Sequence, residues 1–401
     1  MTLHDVVIVS ACRTPIGKFQ GQFVNVSARE LAMTAAAEAI RRAGISPEVI
    51  DEIVMGQLYT SMQGSLPARQ VGMRLGMAAK SIAVSVNQNC ASGMRALEVA
   101  CNDIQLGKTE IGLVVGVESM SNIPYLLPKA RAGMRMGDGA VVDSMLHDGL
   151  VDELAGGHMG TTADNVAARY GISRQECDAL AVQSHARACA AIDTGKFKKE
   201  IVPVVVHTRK GDQVIDTDEH PIRGCNLESL SKMKPAFRKD GVTTAGNSSG
   251  INDAAAAVII MSKEKAEALG IVPMARMLHI CGEGVEPEVM GLGPARAIPK
   301  CLKAAGLTFA DVDYWEINEA FAAQFLGVGR MLKEEQGIEL PMERVNANGS
   351  GISLGHPVGC TALRIIVTML YEMERSDYRI GCASLCVGSG PSMCSLWVRD
   401  S

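Results

Sequence analysis

Apolar and polar positions alternate along this chain with two periods, and the same series of periods occurs twice. LAMTAAAEAIRRAG (31–44) and ARAIPKCLKAAG (295–306) carry apolar residues at helical spacing and end on Ala-Gly. Glycine there suits a left-handed C-terminal cap. Each helix runs into a short acidic turn and an apolar strand, AGISPEVIDEIVMG (43–56) and AGLTFADVDYWEIN (305–318). Val86-Asn87-Gln88-Asn89-Cys90 then matches Val345-Asn346-Ala347-Asn348-Gly349. A glycine-rich turn, a helix and a further apolar strand follow in both, IGLVVGVES (111–119) and IGCASLCVGSG (380–390). The series predicts two βαβ-rich halves, each a mostly parallel sheet covered by helices and related by a pseudo-twofold axis. Ligand chemistry is expected where equivalent strand ends and helix starts converge.

Residues 121–249 have no counterpart in the repeat. They are rich in Met, Gly and charge and read as a long insertion over the core. SRQECDALAVQSHARACAAID (173–193) predicts an ordered helix within it, with Ser173 as N-cap and Glu176 closing a capping box. The expected division is therefore 1–120 plus 250–270, an inserted 121–249, and 271–401.

Composition narrows the class. The 401 residues exceed one small core, and 47% hydrophobic with 21% charged residues is ordinary for a soluble globular protein. Aromatics are only 4%, against 41 Gly and 22 Met, so the interior is built from small and aliphatic side chains. A net charge of −5 argues against nucleic acid. No apolar run reaches the length of a membrane span. Twelve Cys lack zinc-site or Cys-x-x-Cys spacing, and no signal peptide opens the chain, which predicts free thiols in the cytoplasm and no metal.

Among those thiols, Cys90 stands where a strand meets a helix. Unpaired N–H groups and the helix dipole are expected to stabilise its thiolate there. His356, in Gly355-His356-Pro357-Val358-Gly359, occupies the corresponding turn of the second repeat, where an imidazole can take the proton of a thiol. Cys386 ends the last strand of that repeat, Gly388 beside it offers a backbone N–H, and Asn318 ends the strand that matches 52–56. GSGISLGHPVG lacks the spacing and the later acidic residue of a dinucleotide fingerprint.

Arg13-Thr14-Pro15-Ile16-Gly17, Cys90-Ala91-Ser92-Gly93-Met94, His158-Met159-Gly160, Thr244 to Gly250, Asn318 to Ala322, Gly355-His356-Pro357 and Cys386-Val387-Gly388, in this order over nearly the whole chain, resemble the thiolase family. The resemblance implies a duplicated, five-layered α-β-α-β-α core with an inserted loop domain for coenzyme A. It implies that Cys90 carries the acyl group, that His356 activates it, and that Cys386 moves the α-proton of the second thioester. Asn318, through a water, would form one oxyanion hole with His356, and the N–H groups of Cys90 and Gly388 the other. Leu150, His158, Met159, Arg223, Ser229, Phe237, Ala245, Ser249, Ile251, Met290, Ala320 and Phe321 are implied to contact coenzyme A or its acyl group.

Met159 and Met290 resemble the acetoacetyl-CoA branch. The expected reaction is reversible condensation of two acetyl-CoA to acetoacetyl-CoA and CoA, by a ping-pong route with coenzyme A thioesters as substrates and no cofactor. A 3-ketoacyl-CoA thiolase of broader chain length in degradative metabolism is the alternative. The resemblance also implies a homotetramer, a dimer of dimers. A decarboxylating ketoacyl synthase would need a second His at position 386, and a non-catalytic acyl-CoA binder has no need of the four chemical residues. The chain departs from the family pattern at Gly157, at Ser350-Gly351 and at Gly388-Ser389-Gly390-Pro391.

Overall fold

The computed structural model describes residues 3–400. In the first half, β1 (Val6–Arg13), α1 (Ala28–Ala43), β2 (Glu52–Gly56), β3 (Ile82–Val86), α2 (Ser92–Gln105) and β4 (Ile111–Ser119) follow in order. Ser27 caps α1 in a reciprocal box with Glu30, and Gly44 closes it in the left-handed region at φ 66°. The region 121–249 contributes α3 (Met159–Tyr170) and α4 (Arg174–Asp193), and Ser173 and Glu176 form the expected capping box on α4. The chain re-enters the core as β5 (Asn252–Ser262). The second half comprises β6 (Ala275–Gly284), α5 (Pro294–Ala304), β7 (Tyr314–Ile317), α6 (Ala322–Gln336), α7 (Val358–Ser376), β8 (Ile380–Cys386) and β9 (Pro391–Val398).

The duplication is explicit in the strand order. One half reads β3-β2-β4-β5-β1 and the other β7-β8-β9-β6, and a parallel bridge from Trp315 to Val345 stands where β3 stands in the first. The halves join edge to edge through β1 and β6, at Val7 with Arg276 and Ile8 with Ala275, in one ten-stranded sheet whose remaining strand, Gly17–Lys18, pairs with β5. The sheets are not mostly parallel. Only β2–β3, β2–β4 and β7–β8 pair in parallel, and the other main pairings are antiparallel. The reason is local: β8 turns straight back into β9 across 387–390, and such a tight return forces antiparallel pairing. In the first half, the equivalent return from β4 to β5 is where residues 121–249 are inserted.

Alternation along the strands divides the core into layers. Ala255, Ala257 and Ile259 of β5 face α1, while Ala254, Ala256 and Val258 face the centre, where α2 and α7 pack on each other. α5 covers the far side of β6 and β9. The order is α1, first half-sheet, α2 with α7, second half-sheet, α5.

The insertion is fastened to the core by a buried cation. Arg13 donates from Nε to Glu200 Oε1 at 2.6 Å, and from both terminal nitrogens to Asp218 at 2.7 and 2.9 Å. All three side chains are buried. Losing one partner would strand a buried charge, at a cost of about 3–5 kcal/mol. Arg13 is thus an anchor of the insertion.

Candidate active site

α2 and α7 cross near their first turns, where each presents a glycine, Gly93 and Gly359, at the contact. A Cβ on Gly93 would lie 3.0 Å from Leu363, and one on Gly359 would lie 2.6 Å from the Val117 carbonyl. These glycines let two helix N-termini, one from each half, reach the same point. The turns that precede them carry Cys90 and His356.

Cys90 sits in the turn 87–91, shaped by Asn89 at φ 45°. Ser92 holds this turn, its hydroxyl donating to the Asn89 carbonyl at 2.7 Å and accepting from Gln88 N–H at 2.9 Å. His356 follows Gly355, whose φ of 100° favours glycine and whose face is covered by Asn252. Asn252 Oδ1 accepts the His356 backbone N–H at 2.9 Å. His356 Nδ1 meets the Thr361 hydroxyl at 2.7 Å, and Nε2 has no partner within the protein. Cys386 is the last residue of β8, and Gly388 lies in the return after it. A Cβ on Gly388 would lie 2.4 Å from Met159 Cε and 2.8 Å from Asn89 Nδ2.

Cys90, His356, Cys386 and Gly388 line one cavity of about 380 Å³. Asn318 does not. It is fully buried, its N–H donates to the Ser384 carbonyl at 3.0 Å, and neither side-chain atom has a protein partner. An amide left so would cost about 1–3 kcal/mol, which favours a bound water there.

Contrary to the expectation of a helix-stabilised thiolate, burial pushes the Cys90 thiol up to about 11, although the N–H groups of Gly388 and of Cys90 itself pull the other way. Burial and the nearby Cys90 push Cys386 up as well. Burial, and secondarily Arg364, hold His356 down to about 4, so its imidazole is neutral. Two thiols and a neutral imidazole therefore rest side by side.

The cavity wall is supplied mostly by the insertion and the second half, with Ile251 from the segment that re-enters the core. Leu150, His158, Met159, Phe237, Ala245, Ser249, Ile251, Met290, Ala320 and Phe321 line it. His158 stacks on Phe237 at 4.5 Å between centroids, and Phe237 meets Phe321 edge-on at 6.0 Å. Arg223 and Ser229 stand off this wall. Arg223 is exposed and forks onto Asp193 at 2.7 and 2.9 Å, and Ser229 belongs to a short helix capped by Asn226. Met120, Gly149 and Ala236 line the cavity without having been singled out in the sequence, and Ser248, Gly250 and Val358 line it from within the quoted motifs. Membership of those motifs was the only signal in the sequence for the last three.

The family model "Thiolase, N-terminal domain" matches residues 6–264 and "Thiolase, C-terminal domain" matches 271–399. The chain belongs to the thiolase family. An acetyl-CoA acetyltransferase of Syntrophomonas wolfei is 48% identical over 389 residues, 96% of this chain and 97% of that one. Its counterpart in Escherichia coli K12 is 46% identical over 389 residues, 97% of each. Among solved structures, a Syntrophomonas wolfei acetyl-CoA acetyltransferase superposes with a TM-score of 0.98 at 60% identity, covering 99% of this chain and 100% of that one. Human mitochondrial 3-ketoacyl-CoA thiolase in complex with CoA gives 0.94 at 36% identity, with both chains fully covered. As a thiolase, the chain is an acyltransferase with a five-layered duplicated core.

Proposed function

We propose that this thiolase is an acetyl-CoA C-acetyltransferase that interconverts two acetyl-CoA with acetoacetyl-CoA and CoA. The observation that carries the reading is the placement of Cys90, Cys386, the free Nε2 of His356 and Gly388 on one largely apolar cavity. In the first half-reaction the Cys90 proton passes to His356 Nε2 as sulfur attacks the thioester carbonyl. The C–S bond to CoA then breaks, and CoA leaves with that proton, giving acetyl-Cys90. In the second, Cys386 first passes its own thiol proton to the vacated His356 Nε2 and, as thiolate, takes the α-proton of a new acetyl-CoA. The resulting enolate carbon attacks the acetyl group, the Cys90 sulfur is expelled, and His356 returns a proton to it. The Gly388 and Cys90 N–H groups are suited to the first oxyanion, and His356 with a water held by Asn318 to the enolate oxygen. Coenzyme A thioesters are the substrates, and the scheme needs no metal or cofactor.

The division 1–120 plus 250–270, 121–249 and 271–401, with the middle segment as the coenzyme A loop domain, fits the share of the cavity wall that 121–249 contributes. Met159 and Met290 on that wall support short acyl chains. Arg223 stays a candidate only for the nucleotide end of coenzyme A, outside the cavity. The reading includes a cytoplasmic location and a homotetramer, a dimer of dimers; apolar side chains left in water support subunit contacts of some kind: Tyr125, Leu127, Met134 and Met136 on one loop, and Ile82 and Val84 on the edge strand β3.

Mass spectrometry after brief exposure to acetyl-CoA tests the reading. One acetyl group on Cys90, discharged by added CoA, is expected. Acetylation elsewhere, or none, refutes it.

A further inference from the structure

This scheme leaves one buried ionisable group beside the site unused. Glu118, the penultimate residue of β4, is 1% exposed. Its Oε2 accepts the Leu58 N–H at 3.0 Å and the Gly359 N–H at 2.9 Å, and its Oε1 accepts the Tyr59 N–H at 3.2 Å. Two of these donors belong to the turn after β2 in the first half. The third belongs to the opening turn of α7, in the second half and three residues past His356.

That third bond fills a gap. α7 starts after Pro357, whose side chain cannot cap it. The N–H groups of a first helical turn need outside acceptors. Gly359 finds one on the opposite half of the molecule, and only because it lacks a side chain: a Cβ there would lie 2.8 Å from Glu118 Oε2.

The carboxyl also lies near the nucleophile: Leu58 and Tyr59, which donate to it, pack with Val358 in one cluster against Cys90. Glu118 faces Cys90, Tyr59 and Cys360. Cys90 faces, besides Glu118 and Tyr59, Cys386 and His356 from the second half, with His158 across the cavity.

We propose that Glu118 is a positioning residue of the acyl-transfer site, capping α7 from the other half of the molecule and, when ionised, holding the proton on Cys90 by its charge. The inference rests on Cys90 being the acyl-accepting nucleophile. Burial opposes ionisation of Glu118 and its three N–H donors favour it. The balance stands at about 8, so the group changes charge within the range where the enzyme can be assayed. Below that pH it is neutral and leaves Cys90 alone. Above it, the anion disfavours the thiolate. Gln mimics the neutral form at every pH.

The test is the rate of Cys90 alkylation by iodoacetamide, read by peptide mass spectrometry on full-length wild type and Glu118→Gln. Near pH 6 the two rates should agree within about twofold, and above about pH 9 the variant should react about fivefold faster. Near pH 6 its kcat should match wild type within about twofold, since both then carry a neutral group, with KM for CoA unchanged because the cavity wall is untouched. A variant-to-wild-type ratio that stays constant with pH overturns the proposal, since a purely structural role would not track the titration. If Glu118→Gln does not fold, Glu118→Asp carries the test. It keeps the charge and shortens the reach, so wild-type alkylation with a lowered kcat is expected, and a wild-type kcat overturns the capping role. Wild-type protein that takes no acetyl group on Cys90 refutes the thiolase scheme itself. Acetylated Cys90 with an unmoved ratio refutes Glu118 alone.

Discussion

The Thr361 hydroxyl stands 2.7 Å from His356 Nδ1 and donates its only hydrogen to the Pro357 carbonyl at 2.9 Å. Thr361 must therefore accept from the imidazole, so Nδ1 carries the proton and Nε2 turns its lone pair to the cavity. This is the tautomer that can receive a proton from Cys90. Thr361→Val should lower kcat/KM for acetyl-CoA about tenfold, and Thr361→Ser should restore it. Steady-state kinetics on the two variants checks this. Equal activity of the Val variant and wild type would remove Thr361 from the mechanism.

Cys386 and Cys90 should separate the two half-reactions. Cys386→Ala should still become acetylated at Cys90 within one turnover, yet lose condensation by about 10²–10⁴-fold. Cys90→Ala should lose both. Single-turnover acetylation, measured beside acetoacetyl-CoA formation, distinguishes the two. Loss of acetylation in Cys386→Ala would contradict the division of labour.

Gly388→Ala places a methyl group where Met159 Cε lies 2.4 Å away and Asn89 Nδ2 lies 2.8 Å away. The return between β8 and β9 must shift, and its N–H with it. Loss of an oxyanion donor costs about 10²–10³ in kcat. The same change should leave the unfolding midpoint nearly unmoved, since the packing of the sheet and helices behind this turn is untouched. Thermal unfolding run alongside activity separates a site defect from a fold defect.

Buried histidines make the fold sensitive to mild acid. His185, His220 and His356 are each held down to about 4 by burial, against an ordinary value near 6.5. Between those values the unfolded chain binds protons that the native state refuses, so stability is intact above pH ~6.5 and is lost as pH falls toward about 4. Each such group contributes at most about 3 kcal/mol. Urea unfolding at several pH values should show the midpoint falling across this window. A His185→Gln variant should show a shallower fall.

Most of the architecture was legible in the sequence because it is written twice: the segments ending at Gly44 and Gly306, and those around Cys90 and Gly349, share order and spacing. The sheet's mixed direction was less legible. A repeat gives the sequence of elements, while the sense of β5 and β9 depends on how short the return into them is. Cys90 illustrates a second gap. Its place before α2 was readable, but its proton affinity depends on burial by residues from the insertion and from the second half. Glu118 is a third, since its partner Gly359 lies far along the chain and nothing local marks the pair. The placement of Arg223 off the cavity wall was illegible for the opposite reason: an exposed guanidinium takes the nearest carboxylate, here Asp193, and its neighbours in sequence do not reveal that.

The four-residue return between β8 and β9 has a counterpart swollen to a domain's worth of chain, residues 120–251, between β4 and β5. An ancestral pair of equal hairpins would have opened the same way on both sides. Enlarging only one of them gives the molecule a ligand-facing side, while both halves supply chemistry, Cys90 from the first and His356 and Cys386 from the second. Because the enlargement begins and ends at adjacent strands, it is replaceable as a cassette. Grafting the segment from a relative with a different acyl preference should transfer chain-length selectivity while Cys90, His356 and Cys386 remain in register.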